Sequence, residues 1–310
     1  MTMIPTVYVY GTSSVGKTAL VSTCIDSVSE CASHHSGDMI QYETPVVIFK
    51  EMQRSDTPSV PQENEAQAVW FCVDGTLSDF GIHRDEFAFI KDLGSRALIV
   101  VTKCELLNED QVKYANETLL KYFLREQIVL VSAKEKSGLP VLIKKTKSVI
   151  METGNKIGHG FLSYRFDSQW DDFFSKHLKL WNQKNDEEAN SYITWAAGRA
   201  AAIALIPLPL ADVGPLVANE IYMIYKLAGV YGIANDQSLI TMILGCTGGS
   251  LAGKIGASLL PFLKIPIAAA VTYGVGKAAK AFFESGMEMN GDTLKEIFEK
   301  AMEEASNLFW

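Results

Sequence analysis

The stretch Val7-Tyr-Val-Tyr-Gly11-Thr-Ser-Ser-Val-Gly16-Lys17-Thr18 decides how the first half of this sequence is read. Val7–Tyr10 is an apolar run of strand length, and Lys17–Asp26 has the pattern of a helix opening directly after it. Between them, residues 11–18 satisfy G-x-x-x-x-G-K-[ST] at every fixed position. Glycine at both ends lets the backbone curl until successive N–H groups converge on phosphate oxygens. The following helix adds its positive dipole end to the same point. Gly11, Ser13, Ser14, Val15, Gly16, Lys17, Thr18 and Ala19 are therefore the candidate phosphate-cradling residues. Lys17 is expected to be exposed at the loop, bridging the β- and γ-phosphates, with the Thr18 hydroxyl as a ligand for Mg²⁺.

Outward from that loop, residues 6–150 alternate short apolar runs with helical patterns, the signature of a mostly parallel sheet flanked by helices. Met39–Tyr42 and Val46–Phe49 read as short strands joined by a Glu-Thr-Pro turn. Ala68–Val73, Ala97–Val101 and Ile128–Val131 read as buried strands, with helices near 80–93, 109–125 and 137–152 between and after them. Glu51–Gln67 is polar, holds two prolines and reads as a loop.

The character then changes. Residues 154–160 hold three glycines and read as a hinge. A polar helical stretch, 167–190, carries the spaced anchors Trp170, Phe173, Phe174, Leu178 and Trp181. From Ile193 to Phe283 the chain is apolar, and prolines at 207, 209, 215, 261 and 266 are expected to separate helices near 187–206, 211–231, 237–259 and 265–285. A last amphipathic helix, 292–309, aligns Leu294, Ile297, Phe298, Met302 and Ala305 on one face. The expected organisation is an α/β domain over 1–153, a linker and connecting helix over 154–190, and an all-α apolar bundle over 191–310. A bilayer span needs about 20 apolar residues. Tyr192–Leu210 is broken by Arg199, Pro207 and Pro209, and Pro266–Phe283 by Lys277 and Lys280. A bundle buried against itself is the expectation, with reversible insertion or docking through an apolar face left open.

Composition bounds the partners. The 310-residue chain has a net charge of -8 and no dense Lys/Arg run, so nucleic acid is not an expected ligand. The five cysteines are scattered without zinc-ligand spacing, which suits reduced thiols in the cytoplasm. His34 and His35 read as solvated loop residues, and the first residues lack the pattern of a secretory signal.

Two later segments extend the reading. Thr102-Lys103-Cys104-Glu105 follows the strand ALIVV, and Ser132-Ala133-Lys134 ends the next strand. In that order after the phosphate loop, they resemble the base-reading motifs of Ras/Era-like and immunity-related GTPases. The resemblance implies GTP or GDP as ligand. Lys103 would lie along the guanine, Glu105 would accept from its amino and imino groups, and Thr102, Ser132, Ala133 and Lys134 would line the base site. The family has aspartate where this chain has Glu105. Its D-x-x-G motif is matched best by Asp56-Thr-Pro-Ser59, which implies Asp56 as catalytic and Mg²⁺-binding carboxylate, with serine replacing glycine. Glu51 and Glu43 are the alternatives for that place. Ser29, Ser33, Ser36 and Thr44 are equal candidates for the switch hydroxyl. Val60 stands where Ras-like enzymes carry a water-orienting glutamine, so hydrolysis is expected to be slow and to depend on a partner or on self-association.

The apolar third resembles the helical domain of unknown function that follows Era-like GTPase domains in bacterial proteins, a region associated with membranes. The resemblance as a whole implies a nucleotide-dependent GTPase switch whose helical domain docks on a membrane or a protein. The alternative is a pseudo-GTPase scaffold that binds nucleotide without efficient hydrolysis.

Overall fold

Alternating apolar runs and helical patterns fold as an α/β layer structure because the central strands are apolar on both faces and helices cover them. The computed structural model describes residues 4–25, 31–37, 39–52, 61–80, 82, 84–156, 164–205, 213–248 and 261–309. The chain divides into two compact units, Met1–Asn182 and Gln183–Trp310.

In the first unit the strands are β1 (Thr6–Tyr10), β2 (Ala32–Ser36), β3 (Met39–Glu43), β4 (Ile48–Met52), β5 (Ala68–Asp74), β6 (Ala97–Thr102) and β7 (Ile128–Leu130). They form one sheet in the order β2-β3-β4-β1-β5-β6-β7. The five strands from β4 to β7 in that order run parallel, and β2 and β3 add an antiparallel hairpin edge. The helices are α1 (Lys17–Ile25), α2 (Arg84–Leu93), α3 (Glu109–Leu119) and α4 (Leu139–Lys156). Every residue of β5, β6 and β7 is buried, as expected of strands covered on both faces. The Trp70 indole on β5 donates to Thr146 on α4 across 2.8 Å, satisfying a buried N–H inside that layer.

Several expectations are corrected. His34 and His35 lie on the edge strand β2 rather than in a loop, with all five residues of that strand exposed. Glu51 and Met52 belong to β4, and the turn Pro61–Gln67 is tied down by the buried Arg96, which donates to the Pro61 and Ala66 carbonyls. The hinge expected at Gly154 is still helical, since α4 runs to Lys156; residues 157–163 lie outside the described residues. The two helices expected over 167–190 and 187–206 are one, α5 (Tyr164–Ala204). That stretch contains no proline and a single glycine, so nothing stops it.

The second unit holds the later part of α5 with α6 (Val213–Val230), α7 (Gln237–Gly248), α8 (Pro261–Glu284) and α9 (Gly291–Phe309). Pro266 does not separate helices as expected but sits inside α8, while residues 206–212 and 249–260 lie outside the described residues. Small residues allow close helix packing: Gly276 of α8 faces Ile193 and Met223, and Gly274 faces Phe298 of α9. Leu294, Phe298, Ala301 and Ala305 bury one face of α9, with Ile297 and Met302 half-buried at its margin.

A candidate nucleotide site at the carboxyl edge of the sheet

Parallel strands end on the same edge, and ligands of open α/β sheets bind outside their carboxyl ends. β1 ends at Tyr10, and residues 11–16 turn back over the sheet before α1 starts at Lys17. Gly11 has φ +142°, and a Cβ there would run into the Cys72 carbonyl oxygen on the neighbouring β5. The loop can approach the sheet this closely only without a side chain.

Lys17 is buried rather than exposed, against expectation. Its ammonium donates to the Gly11 and Thr12 carbonyls, each at 2.9 Å, so the loop folds around its own lysine. Burial lowers its pKa, while the neighbouring Cys72 and Glu51 oppose that shift. The Thr18 hydroxyl donates to the Glu51 carboxylate at 2.7 Å. Glu51 is itself buried on β4, in register with Val9 of β1 and Ile40 of β3, and its other oxygen accepts from the Tyr42 hydroxyl at 3.3 Å. Burial and the adjacent Glu51 push the Tyr42 phenol up to about 12, so it stays a donor.

Of the two described carboxylates weighed for the cation site, Glu51 and Glu43, Glu51 is the one placed beside Thr18. Asp56 lies outside the described residues, as do Ser59 and Val60. Glu43 pairs with Ile48 at the other end of the hairpin, level with Thr6 of β1 and three residues, or roughly 10 Å, along β4 from Glu51. Strand direction excludes it. Thr44 is also removed as a switch hydroxyl. It is buried in the β3–β4 turn, where its Oγ1 bonds the Val47 carbonyl at 2.6 Å and accepts from the Val47 amide at 3.0 Å. Ser33 and Ser36 are exposed on β2, and Ser29 lies outside the described residues.

The expected base-reading segments converge on the same edge. The buried Thr102 hydroxyl lies 2.6 Å from the Val15 carbonyl in the phosphate loop and 3.0 Å from Val73 on β5. The Cys104 amide donates to the Val131 carbonyl at 3.2 Å, joining the TKCE turn to the end of β7. Lys103 has φ +60°, and its ammonium pairs with Asp74 at 2.6 Å. Burial works to raise the Asp74 pKa, but hydrogen bonds from Lys103 and Thr76 outweigh it and the net shift is downward. Asp74 was not anticipated as a site residue. The available signal was an acid closing an otherwise apolar strand at its carboxyl end. Glu105 and Lys134 are exposed, Ala133 is half-buried, and Ser132 is buried.

The loop carrying Ser132–Lys134 is shaped by Gly138. Its φ is +72°, and a Cβ would run into the Leu130 carbonyl oxygen, while the Ser132 amide bonds the Ser137 carbonyl and the Ser132 hydroxyl accepts from the Glu135 amide. Gly138→Ala is expected to cost more than the ~1–2 kcal/mol of a left-handed alanine, because backbone must also move. A thermal melt would show it, and an unchanged melting temperature would contradict the packing described.

Fold and loop together define an α/β phosphate-binding-loop domain joined to a helical unit. Residues 169–264 match a domain of unknown function, DUF697. Magnetosome membrane protein 22 of Magnetospirillum gryphiswaldense is 27% identical over 128 residues, which cover 35% of this chain and 66% of that protein. The chain therefore spans about two thirds of that relative's length. Among solved structures, the G domain of the T. maritima FeoB iron transporter is 15% identical, covering 49% of this chain and 99% of its own, with a TM-score of 0.33. An S. thermophilus NFeoB mutant bound to GDP is 11% identical over 97% of this chain and 98% of its own, with a TM-score of 0.34. Elongation factor SelB from Methanococcus maripaludis with the GTP analogue GppNHp is 16% identical over 49% of this chain and 35% of its own, with a TM-score of 0.31. These structural likenesses concern the fold alone.

Proposed function

We propose that the protein binds GTP and GDP and works as a slow nucleotide-dependent switch. The observation that carries this reading is the phosphate loop folded around Lys17, with Thr102 of the base-reading turn bonded to the loop carbonyl of Val15. On binding, Lys17 would exchange carbonyl partners for β- and γ-phosphate oxygens, and the loop N–H groups would hold the remaining charge. Thr102 keeps the loop and the base turn in a fixed relation. Asp74 holds the Lys103 ammonium, leaving the lysine stem to lie along the guanine plane. Glu105 offers its exposed carboxylate to the guanine edge, and Ser132, Ala133 and Lys134 close the base site.

The Thr18 hydroxyl and Glu51 carboxylate are hard oxygen donors side by side, which fits Mg²⁺. Mg²⁺ bound there would neutralise charge on the phosphates. Among the described residues no group of three His, Cys, Asp or Glu side chains is placed to hold a metal, which suits a site completed by nucleotide oxygens. Glu51→Gln is expected to raise the Mg²⁺ concentration needed to slow nucleotide release by about 10–100-fold. An unchanged Mg²⁺ titration, followed by the release of a fluorescent nucleotide, would return the cation role to Asp56 or to no side chain.

Guanine preference is the part most exposed to test. Glu105→Asp is expected to widen the GTP-over-ATP affinity ratio, since the shorter side chain restores the spacing of the resembled motif. Equal binding of both nucleotides by both proteins, in calorimetric titration, would remove the guanine assignment. Extraction of nucleotide from the purified protein and timing of its turnover with Mg²⁺ separates the switch from the pseudo-GTPase. Bound GTP that is never converted to GDP and phosphate supports the scaffold.

The helical unit is read as the docking part, on a membrane surface or a protein, and the switch as one that self-associates in response to nucleotide. Among the described residues no helix is long and apolar enough to cross a membrane. The name of the magnetosome membrane relative supports a peripheral membrane location.

A further inference from the structure

Helix α5 displays a large aromatic side chain that its own unit does not cover. Trp195 is 65% exposed. It shares one helix face with Arg199 and Ala202, which follow at i+4 and i+7. The Arg199 guanidinium carbon lies 4.5 Å from the Trp195 ring centroid and 5.1 Å from that of Tyr222 on α6, itself 39% exposed. Two rings thus hold the guanidinium plane, and its Nε, buried beneath them, has no hydrogen-bond partner among the described residues, which leaves the Nη end to meet a ligand. The Lys226 ammonium, 5.4 Å from the Tyr222 ring, adds a second positive charge to the same face.

We propose that this Trp195–Arg199–Tyr222 face seats the protein on a phospholipid bilayer, with Trp195 in the interfacial layer and Arg199 on headgroup phosphate. The inference rests on the membrane reading above and adds the place of contact. Tryptophan and tyrosine settle at the membrane–water interface because one part of each ring system is apolar and the other can be hydrogen-bonded. An arginine stacked on aromatic planes has little orientational freedom left to lose, and its planar N–H edge matches the paired oxygens of a phosphate. A small free anion is a poorer occupant. The groove beside Trp195, lined by Glu187, Ser191, Thr194 and Gly198, is open rather than enclosing, and the Glu187 carboxylate disfavours a free anion within it. Net charge of -8 repels a strongly anionic surface at long range. Contact must therefore be short-range, and zwitterionic headgroups, which carry phosphate without net charge, are sufficient.

The test is flotation of the full chain with phosphatidylcholine vesicles at low and raised salt. The wild type is expected to float in both, because apolar insertion and close phosphate contact are little screened compared with a long-range attraction. Trp195→Ala and Arg199→Ala should each lower the bound fraction at limiting lipid, by about tenfold for the tryptophan. Excess inorganic phosphate should displace nothing. A companion measurement uses the conservative Trp195→Phe variant and vesicles with brominated acyl chains: quenching of tryptophan fluorescence should fall when that one ring is removed. If the wild type does not float, the membrane reading and this face fail together. If it floats while folded Trp195 and Arg199 variants float equally well, or quenching is the same in Trp195→Phe, the membrane reading stands and this face is wrong. Displacement by inorganic phosphate would make Arg199 a free-anion site and overturn the proposal as well.

Discussion

Lys17→Ala is expected to lose GTP affinity by about two to four orders of magnitude while the protein still folds. Hydrogen bonds to a charged group are each worth about 1.5–3 kcal/mol, and a lysine between the β- and γ-phosphates makes more than one. At about 1.4 kcal/mol per tenfold, that converts to the loss stated. The cost to the nucleotide-free fold is smaller, because there the ammonium bonds two neutral carbonyls, those of Gly11 and Thr12, rather than phosphate oxygens. Calorimetric titration with GTP reads the affinity, and a thermal melt without nucleotide reads the fold. An unchanged affinity in a folded variant would mean the phosphate loop binds no triphosphate. Collapse of the fold would mean the lysine is chiefly a loop staple, and Lys17→Arg, which keeps the charge, then separates the two roles.

The second large effect concerns the helical unit and pH. Glu220 on α6 is 1% exposed, and the hydrogen bond it receives comes from the Thr272 hydroxyl on α8 at 3.3 Å. Burial raises its pKa from 4.5 to about 7, with the Thr272 bond a smaller opposing influence. Below pH 4.5 the carboxyl is protonated in both folded and unfolded chains, and its stability contribution is fully present. As pH rises towards 7 the unfolded chain loses the proton first, so the folded state is progressively disfavoured. Above pH 7 the loss is complete and amounts to roughly 3 kcal/mol, at 1.36 kcal/mol per unit. Glu220→Gln removes the ionisation. Compared with wild type, it should gain stability at pH 8 and gain nothing at pH 4.5, as read by urea unfolding of the full chain. A variant no more stable than wild type at pH 8 would show that the carboxylate is solvated or paired when charged.

How much of this was legible depends on the range of the interaction concerned. The phosphate loop is contiguous: strand, glycines, lysine, threonine and helix follow each other within residues 7–18, so local chemistry announces it. The order of the TKCE and SAK segments, the buried strands β5, β6 and β7, and the amphipathic α9 are equally local, each a matter of period or of one short pattern. The length of α5 is not legible from composition, because its polar and apolar stretches have the patterns of two separate helices. A change of composition alters which face is buried, but only a breaker ends a helix.

Tertiary structure alone decided the rest of the site. Thr18 meets a carboxylate 33 residues later, and Lys103 meets one 29 residues earlier. Neither pairing has a spacing rule, because both follow from which strands lie side by side and in what register. Glu51 and Glu43 are both acids on the β3–β4 hairpin, yet one faces the phosphate loop and the other lies at the far end. Each residue advances a strand by ~3.3 Å, so the direction of β4 relative to β1 makes the choice. Local sequence determined that a loop with the phosphate-binding pattern and an apolar helical unit exist in this protein. Sheet register determined which distant side chains stand beside the loop, since parallel neighbours are joined only through long crossovers and their alignment is a property of the packed sheet.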